Sequence, residues 1–397
     1  WLEHCRHFRD SSCLMTTPNG SHLALVPWPV VWVAFLLTCA EGGSSGLRNV
    51  GSGIAAEGPG AAEWVLEESS KFGLNEKQLQ QAAEHVFRSP EAAERDCFLV
   101  VKNGSLVYEA YSTELYDDFA HEGNSMTKTL GALLMGWAQS RGLLDIDADI
   151  TKTYGVLSPR LYPVTSRQIM SQALKGDAGP GEAWAYDAGG TFWLHTLPEV
   201  FLKATGRRPS DVWDKEFAKP LGLSDKFSWP SVDFYWAAGS EGTCRDYAKL
   251  GQLMLNKGQW RGMEHPIVDA KFIAEMTTPQ KFAPYHDYAN PCYGLLTWLN
   301  TNPGSDRGSP RFPGVCQMWP VQTWLPAGTP SDLYLVSGVL GQDILVVPSM
   351  DLLMVTMGSS ADDYSVQRIL GESLCMMFPG SCETDESKVD SDRPLSI

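Results

Sequence analysis

The sequence predicts an α/β (α+β) protein with an antiparallel sheet built from both ends of the chain and flanked by helices. A mainly helical region is inserted between the two halves. Three observations predict it. Apolar, β-branched runs bounded by turn signals occupy 98–101 and 106–109 near the start, and 333–337, 343–347 and 352–357 near the end. From residue 125 to about 258 the pattern changes to helical periodicity and long Gly/Pro-rich loops. Strands at both ends with helices between them combine most simply into one sheet.

The chain has 397 residues, 43% of them hydrophobic, enough for a large core. A formal net charge of −16 without a basic run excludes nucleic acid or an anionic membrane as the main partner. The stretch 30–40, VVWVAFLLTCA, ends in small residues before Glu41 and predicts a secretory signal over 1–40, cleaved after Ala40. Pro27 and Pro29 shorten the apolar run, so no stable membrane span is expected; an uncleaved signal anchor is the alternative. Residues 41–66, rich in Gly, Ala and Ser, predict a flexible linker. Within it Gly42-Gly43-Ser44-Ser45-Gly46 fits the G-x-S-x-G string, but lacks the strand before and the helix after that this motif needs.

The main domain spans 67–380, with its sheet part at about 67–120 and 330–380 and its helical region at about 121–329. A helix is predicted over 75–88. Asn103-Gly104 joins the first two strands as a hairpin turn, and Asn103-Gly104-Ser105 is also a glycosylation sequon. Further helices are predicted after Ser125, over 247–256 and over 364–378. Residues 381–397, with Glu383, Asp385, Glu386, Asp390 and Asp392, form an acidic tail expected to be disordered.

Of nine cysteines, Cys5, Cys13 and Cys39 lie in the predicted signal. The other six, Cys97, Cys244, Cys292, Cys316, Cys375 and Cys382, form the even set that disulfides in an oxidising compartment require. Six allow fifteen connectivities, and the sequence neighbours Cys375–Cys382 and Cys292–Cys316 are the expected pairs; buried free thiols are the alternative. There is no C-x-x-C pair and no H-E-x-x-H, and the eight histidines are scattered, so neither a metal site nor a cofactor is expected.

The chemistry concentrates at Ser125-Met126-Thr127-Lys128. Polar residues 121–124 precede it, and Leu130, Leu133, Leu134 and Trp137 follow at i, i+3, i+4 and i+7, the spacing of a buried helical face. A serine there has its hydroxyl near the positive end of the helix dipole, which stabilises a developing oxyanion. A lysine three residues on shares its face, and a desolvated, neutral lysine can take the serine proton. A capping serine followed by a solvated lysine would give the same string, so the four residues alone carry little.

Three further segments add specificity by their order and spacing. They are 185–190 (Ala185-Tyr186-Asp187-Ala188-Gly189-Gly190), 237–246, and 337–342 (Ser337-Gly338-Val339-Leu340-Gly341-Gln342). With 123–128, 165–172 and 221–225 they resemble the serine β-lactamase and penicillin-binding-protein superfamily over about 74–378, and most of all its class C-like branch with esterases and oligomer amidases. The resemblance implies a β-lactamase/transpeptidase-like fold. It implies Ser125 as the acylated nucleophile, Lys128 as its activating amine and Tyr186 as the phenol that shares the proton transfer. It also implies the backbone amides of Ser125 and Gln342 as the oxyanion hole, with Asp187, Val339 and Gly341 on the substrate side. A phenol is a poor base at its free pKa near 10, so Tyr186 needs a cationic neighbour such as Lys128.

Two departures bear on substrate. Ala188 stands where the family usually has an asparagine that bonds the substrate amide. Val339 stands where lactamases carry a lysine that helps position the substrate carboxylate, a charge-assisted contact worth roughly 1.5–3 kcal/mol. An acidic Asp187 facing the pocket would disfavour anions further. The expectation is a secreted serine hydrolase acting through a Ser125 acyl-enzyme on a neutral ester or small amide. The alternatives are an amidase or peptidase on oligoamides or D-amino-acid peptides, and a non-catalytic lactamase-like binding or scaffold module. Retention of Ser125, Lys128 and Tyr186 favours chemistry over the last. Phe192, Trp193, Phe234, Tyr235 and Trp236 are candidates for either pocket wall or core.

Overall fold

Six of the ten short strands among the described residues join the two ends of the chain in one sheet. The computed structural model describes residues 56–90, 94–113, 116–158, 163–174, 184–186, 193–282, 287–288, 290–300, 325–326, 329–360 and 363–382. In chain order the strands are β1 (Arg95–Lys102), β2 (Ser105–Tyr111), β3 (His121–Glu122), β4 (Glu241–Gly242), β5 (Lys281–Phe282), β6 (Asp287–Tyr288), β7 (Trp298–Leu299), β8 (Tyr334–Gly338), β9 (Gln342–Val347) and β10 (Leu352–Gly358). The main sheet runs β2-β1-β10-β9-β8-β7, antiparallel throughout. β1 closes on β10, pairing Val100 with Met354 across most of the chain's length. The predicted sheet built from both termini is the observed one.

Local chemistry sets the elements. Asn103 and Gly104 both adopt positive φ (49° and 68°), the turn that matches strand twist in a two-residue hairpin. Helix α1 (Glu76–Arg88) starts where the Asn75 side chain accepts from the amides of Lys77 and Gln78. The helix predicted over 247–256 begins earlier, at Cys244, because Thr243 and Asp246 form a reciprocal capping box.

The sheet carries helices on both faces. On one, Gly251 of the Cys244–Leu255 helix lies so close that an added Cβ would sit 2.7 Å from Ile344 and 3.3 Å from Leu353. On the other, Gln367 of the Asp363–Met377 helix donates to Ser337 Oγ at 3.0 Å, and α1 ties to that helix through His85 and Glu372 at 2.6 Å. Successive strand residues face opposite sides, so Gly338 turns away from Gln367. Helix α2 (Met126–Ser140) occupies the side it faces. Residues 126–138 of α2 are all buried, and among the described residues no helix is long and apolar enough to cross a membrane.

The linker expected over 41–66 is corrected for its described part. From residue 56 onward the chain is packed: Trp64 is 4% exposed and donates to the Arg245 carbonyl at 3.1 Å. Asn256 Nδ2 donates to the Glu57 carbonyl at 2.7 Å, and Gly58 sits against Gln252 and Trp260. Burying one indole outweighs the looseness of the glycines around it. The signal segment, the G-x-S-x-G string and the acidic tail after residue 382 lie outside the described residues.

Cys375 and Cys382 lie at bonding distance (2.08 Å), as do Cys97 on β1 and Cys244 at the start of its helix (1.99 Å). The second pair, 147 residues apart in sequence, was not among the expected neighbours. Cys316 falls outside the described residues, and with it the Cys292–Cys316 pairing.

Candidate active site

Gly123 and Asn124 decide how Ser125 enters its helix. The Gly123 amide bonds the Ser240 carbonyl at 2.7 Å, and a Cβ on Gly123 would lie 2.3 Å from the Tyr247 hydroxyl. Asn124 has φ 48°, a left-handed conformation that asparagine tolerates better than most residues. Ser125 is therefore the N-cap of α2 but already helical (φ −68°, ψ −10°), and its side chain makes no capping bond. A capping serine normally gives its oxygen to an amide of the first turn. Here the hydroxyl is left for Lys128.

Lys128 Nζ lies 2.6 Å from Ser125 Oγ and donates to the Ala237 carbonyl at 2.8 Å. Its side chain is 3% exposed. With no carboxylate bonding it among the described residues, burial alone pushes the ammonium down from its ordinary 10.5 to about 7. Near neutral pH a large fraction of this lysine is thus an uncharged base touching the hydroxyl. The Ala237 loop is pinned from behind. Ser240 Oγ lies 2.8 Å from Thr127 Oγ1 and 3.2 Å from the Tyr247 hydroxyl, and Ser231 Oγ donates to the Ala238 carbonyl at 2.9 Å.

Tyr186 joins this pair. Lys128 Nζ is 5.0 Å from the centroid of its ring, and the ring sits in an aromatic box with Trp184, Tyr293 and Trp298 at centroid distances of 5.1–6.0 Å. Burial raises the Tyr293 phenol well above its ordinary value, so it stays neutral beside the site.

The third motif requires a correction. Gly338, the last residue of β8, is the glycine that meets the Ser125 turn: a Cβ there would lie 2.3 Å from the Gly123 carbonyl and 3.1 Å from the Ser125 amide. Gly341, expected on the substrate side from sequence, packs instead against Arg95 and Val366, on the face of the sheet away from Ser125. Gln342, expected to supply an oxyanion amide, pairs with Gly338 across the hairpin and turns its carboxamide to Gly358 of β10. The motif therefore shifts back three residues, and the amide after its glycine belongs to Val339. The position two before the glycine is again a valine, Val336, so the shift brings no lysine.

The remaining expected residues divide. Val339 is 48% exposed beside Asn124, whose Nδ2 donates to its carbonyl at 2.9 Å. Asp187 and Phe192 lie outside the described residues. Trp236 is fully buried core, Trp193 is half-buried against it, and Phe234 and Tyr235 are exposed. Sequence reasoning did not single out Ala237, Gly338 or Asn124. The available signal was the second glycine, 338, and the small residues at 237–239.

This arrangement has the fold of a hydrolase, and comparison with known proteins shows its family. The Beta-lactamase family model matches residues 85–362, so the chain belongs to the β-lactamase family and carries that hydrolase fold. An uncharacterized protein of Alkalihalophilus pseudofirmus is 21% identical over 295 residues, covering 64% of this chain and 81% of the relative. Similar solved structures include a putative β-lactamase from Bacteroides dorei (TM-score 0.58, 13% identity, 77% of this chain and 99% of that one). A family VIII carboxylesterase is also similar (TM-score 0.53, 17% identity, 75% and 96%). So is a putative 6-aminohexanoate-dimer hydrolase from Bacillus anthracis (TM-score 0.52, 17% identity, 71% and 78%).

Proposed function

We propose that the protein is a serine hydrolase that acylates Ser125 with small neutral esters and then hydrolyses the acyl-enzyme. The observation that carries this reading is the buried Lys128 amine, 2.6 Å from Ser125 Oγ and pushed down to about 7. As Oγ forms its bond to the substrate carbonyl carbon, the hydroxyl proton passes to Nζ, and the resulting ammonium remains bonded to the Ala237 carbonyl. The carbonyl oxygen takes up the negative charge facing the Ser125 amide at the start of α2, with the Val339 amide as its second donor. Collapse expels the alkoxide, which takes its proton from Lys128, with Tyr186 sharing that transfer. Water then attacks the acyl-enzyme by the reverse route.

Neutral substrates are favoured because Val336 and Val339, not lysine, occupy the candidate positions of the third motif. An exported, oxidising location is part of the proposal, supported by the Cys97–Cys244 and Cys375–Cys382 pairs. The test is labelling with a fluorophosphonate probe, then turnover of p-nitrophenyl esters, p-nitroanilides and nitrocefin. We expect Ser125→Ala to abolish labelling and ester turnover while keeping the fold. Full activity in that variant refutes the assignment, and faster turnover of anilides than of esters replaces it with an amidase.

A further inference from the structure

Two left-handed residues flank the backbone around Ser125 and Val339. Asn124 (φ 48°) delivers Ser125 to its helix, and Leu340 (φ 70°) turns the chain just after Val339. Each conformation is uncommon for a residue with a side chain and persists only where its surroundings over-determine it. On the Leu340 side the holders are plain. Its carbonyl accepts from Arg95 Nη1 at 3.0 Å, from Gln342 Nε2 at 3.1 Å and from the Ser360 amide at 3.1 Å. A second arm of the same guanidinium reaches the Gly341 carbonyl at 2.5 Å. All of these hold the hairpin tip from its outer side.

On the inner side Asn124 does the holding. Asn124 Nδ2 donates to the Val339 carbonyl at 2.9 Å. Gly338 makes this approach possible, because its missing Cβ would stand 3.1 Å from both Asn124 Cβ and the Ser125 amide. The backbone that carries one oxyanion donor, Ser125, is thereby tied to the backbone that carries the other, Val339.

We propose that Asn124 is a positioning residue that fixes the Ser125 and Val339 amides at the separation an oxyanion requires. The proposal rests on the Ser125 acyl-enzyme reading. Asparagine meets both demands of the position: it tolerates the left-handed conformation, and it donates from a short side chain. Glycine would meet only the first. Aspartate would keep the shape but aim an acceptor at a carbonyl. The tie acts on the amides rather than on the substrate's other groups, so its loss should fall on the tetrahedral state and spare ground-state binding.

The test compares Asn124→Gly and Asn124→Asp with wild type on p-nitrophenyl butyrate, with butylboronic acid as a tetrahedral mimic. We expect kcat to fall about tenfold in Asn124→Gly and further in Asn124→Asp. KM should stay within about twofold, boronate affinity should fall in parallel with kcat, and the melting temperature should hold. Wild-type kcat and boronate affinity in both variants overturn the proposal. So does a loss confined to KM, or failure of Asn124→Gly to fold, since the residue would then serve substrate binding or the fold. Ser125→Ala is run alongside. If it stays active, the acyl-enzyme reading has failed; if it is inactive while both Asn124 variants match wild type, only the proposal has.

Discussion

Replacing Lys128 by methionine should remove activity and make the protein more stable near neutral pH. The lysine is 3% exposed and its ammonium is held at about 7, against an ordinary 10.5. The folded pKa is depressed, so between these two values the unfolded chain binds a proton that the folded one has given up. Stability contributed by this site therefore rises as pH rises from about 7 toward 10.5, and below about 7 the full cost of burying the charge remains. At roughly 1.36 kcal/mol per pH unit, wild type should gain about 2 kcal/mol on the variant between about pH 7 and about pH 9. Methionine nearly matches the stem of the lysine and carries no charge. It gives up the bonds to Ser125 and Ala237, which contribute about 1 kcal/mol each and reduce its advantage at the acid end. Guanidinium unfolding of oxidised wild type and Lys128→Met at the two pH values reads the difference directly. Parallel stabilities would show that Lys128 is not depressed, and the proton-transfer scheme would lose its base. In wild type the same pKa should appear as an acid limb near 7 in kcat/KM for a p-nitrophenyl ester, with activity rising as pH rises through it.

Three more outcomes are expected. Gly338→Ala should cut kcat by at least about tenfold, because the new methyl would stand 2.3 Å from the Gly123 carbonyl and force the nucleophile's turn away from β8; wild-type kcat would return the third motif to Gly341. Gly123→Ala should destabilise the fold by about 1–3 kcal/mol through a clash with the Tyr247 hydroxyl, and adding Tyr247→Phe should recover part of that loss in chemical denaturation. Non-reducing peptide mapping of the purified protein should recover Cys97–Cys244 and Cys375–Cys382 linkages, and free thiols at these four positions would undercut the proposal of an oxidising location.

The fold was largely readable because its signals are local. An Asn-Gly turn fixed the first hairpin, an asparagine cap started α1, and apolar spacing after Ser125 marked α2. Ser125 and Lys128 were readable for the same reason, being one helical turn apart. The third motif was misplaced because two glycines three residues apart sit at the end of one strand and just beyond it, and only their packing, Gly338 against Gly123 and Ser125 and Gly341 against Arg95 and Val366, shows which one faces Ser125. Composition misled over residues 56–66, where a single anchored tryptophan overrode a Gly/Ala-rich run. The Cys97–Cys244 pair and the carbonyl of Ala237 depend on contacts 147 and 109 residues apart, and nothing local encodes them.

The closure of β1 on β10 also sets a timetable for the growing chain. β1 and β2 leave the ribosome as a hairpin with one long edge open, and their partner strand is about 250 residues away. At roughly 5–20 residues per second, translation leaves that edge uncovered for something like 12–50 seconds. During this interval Phe98, Leu99, Val100 and Val101, all fully buried at the end, have no partner on the β10 side. Such a strand invites pairing with other chains. Ser125 is made early too, yet it meets Gly338 only after β8 has arrived. A nascent or C-terminally truncated chain thus holds Ser125 and Lys128 without the strand that lies against Ser125, and the candidate site is complete only when the two ends of the polypeptide have met.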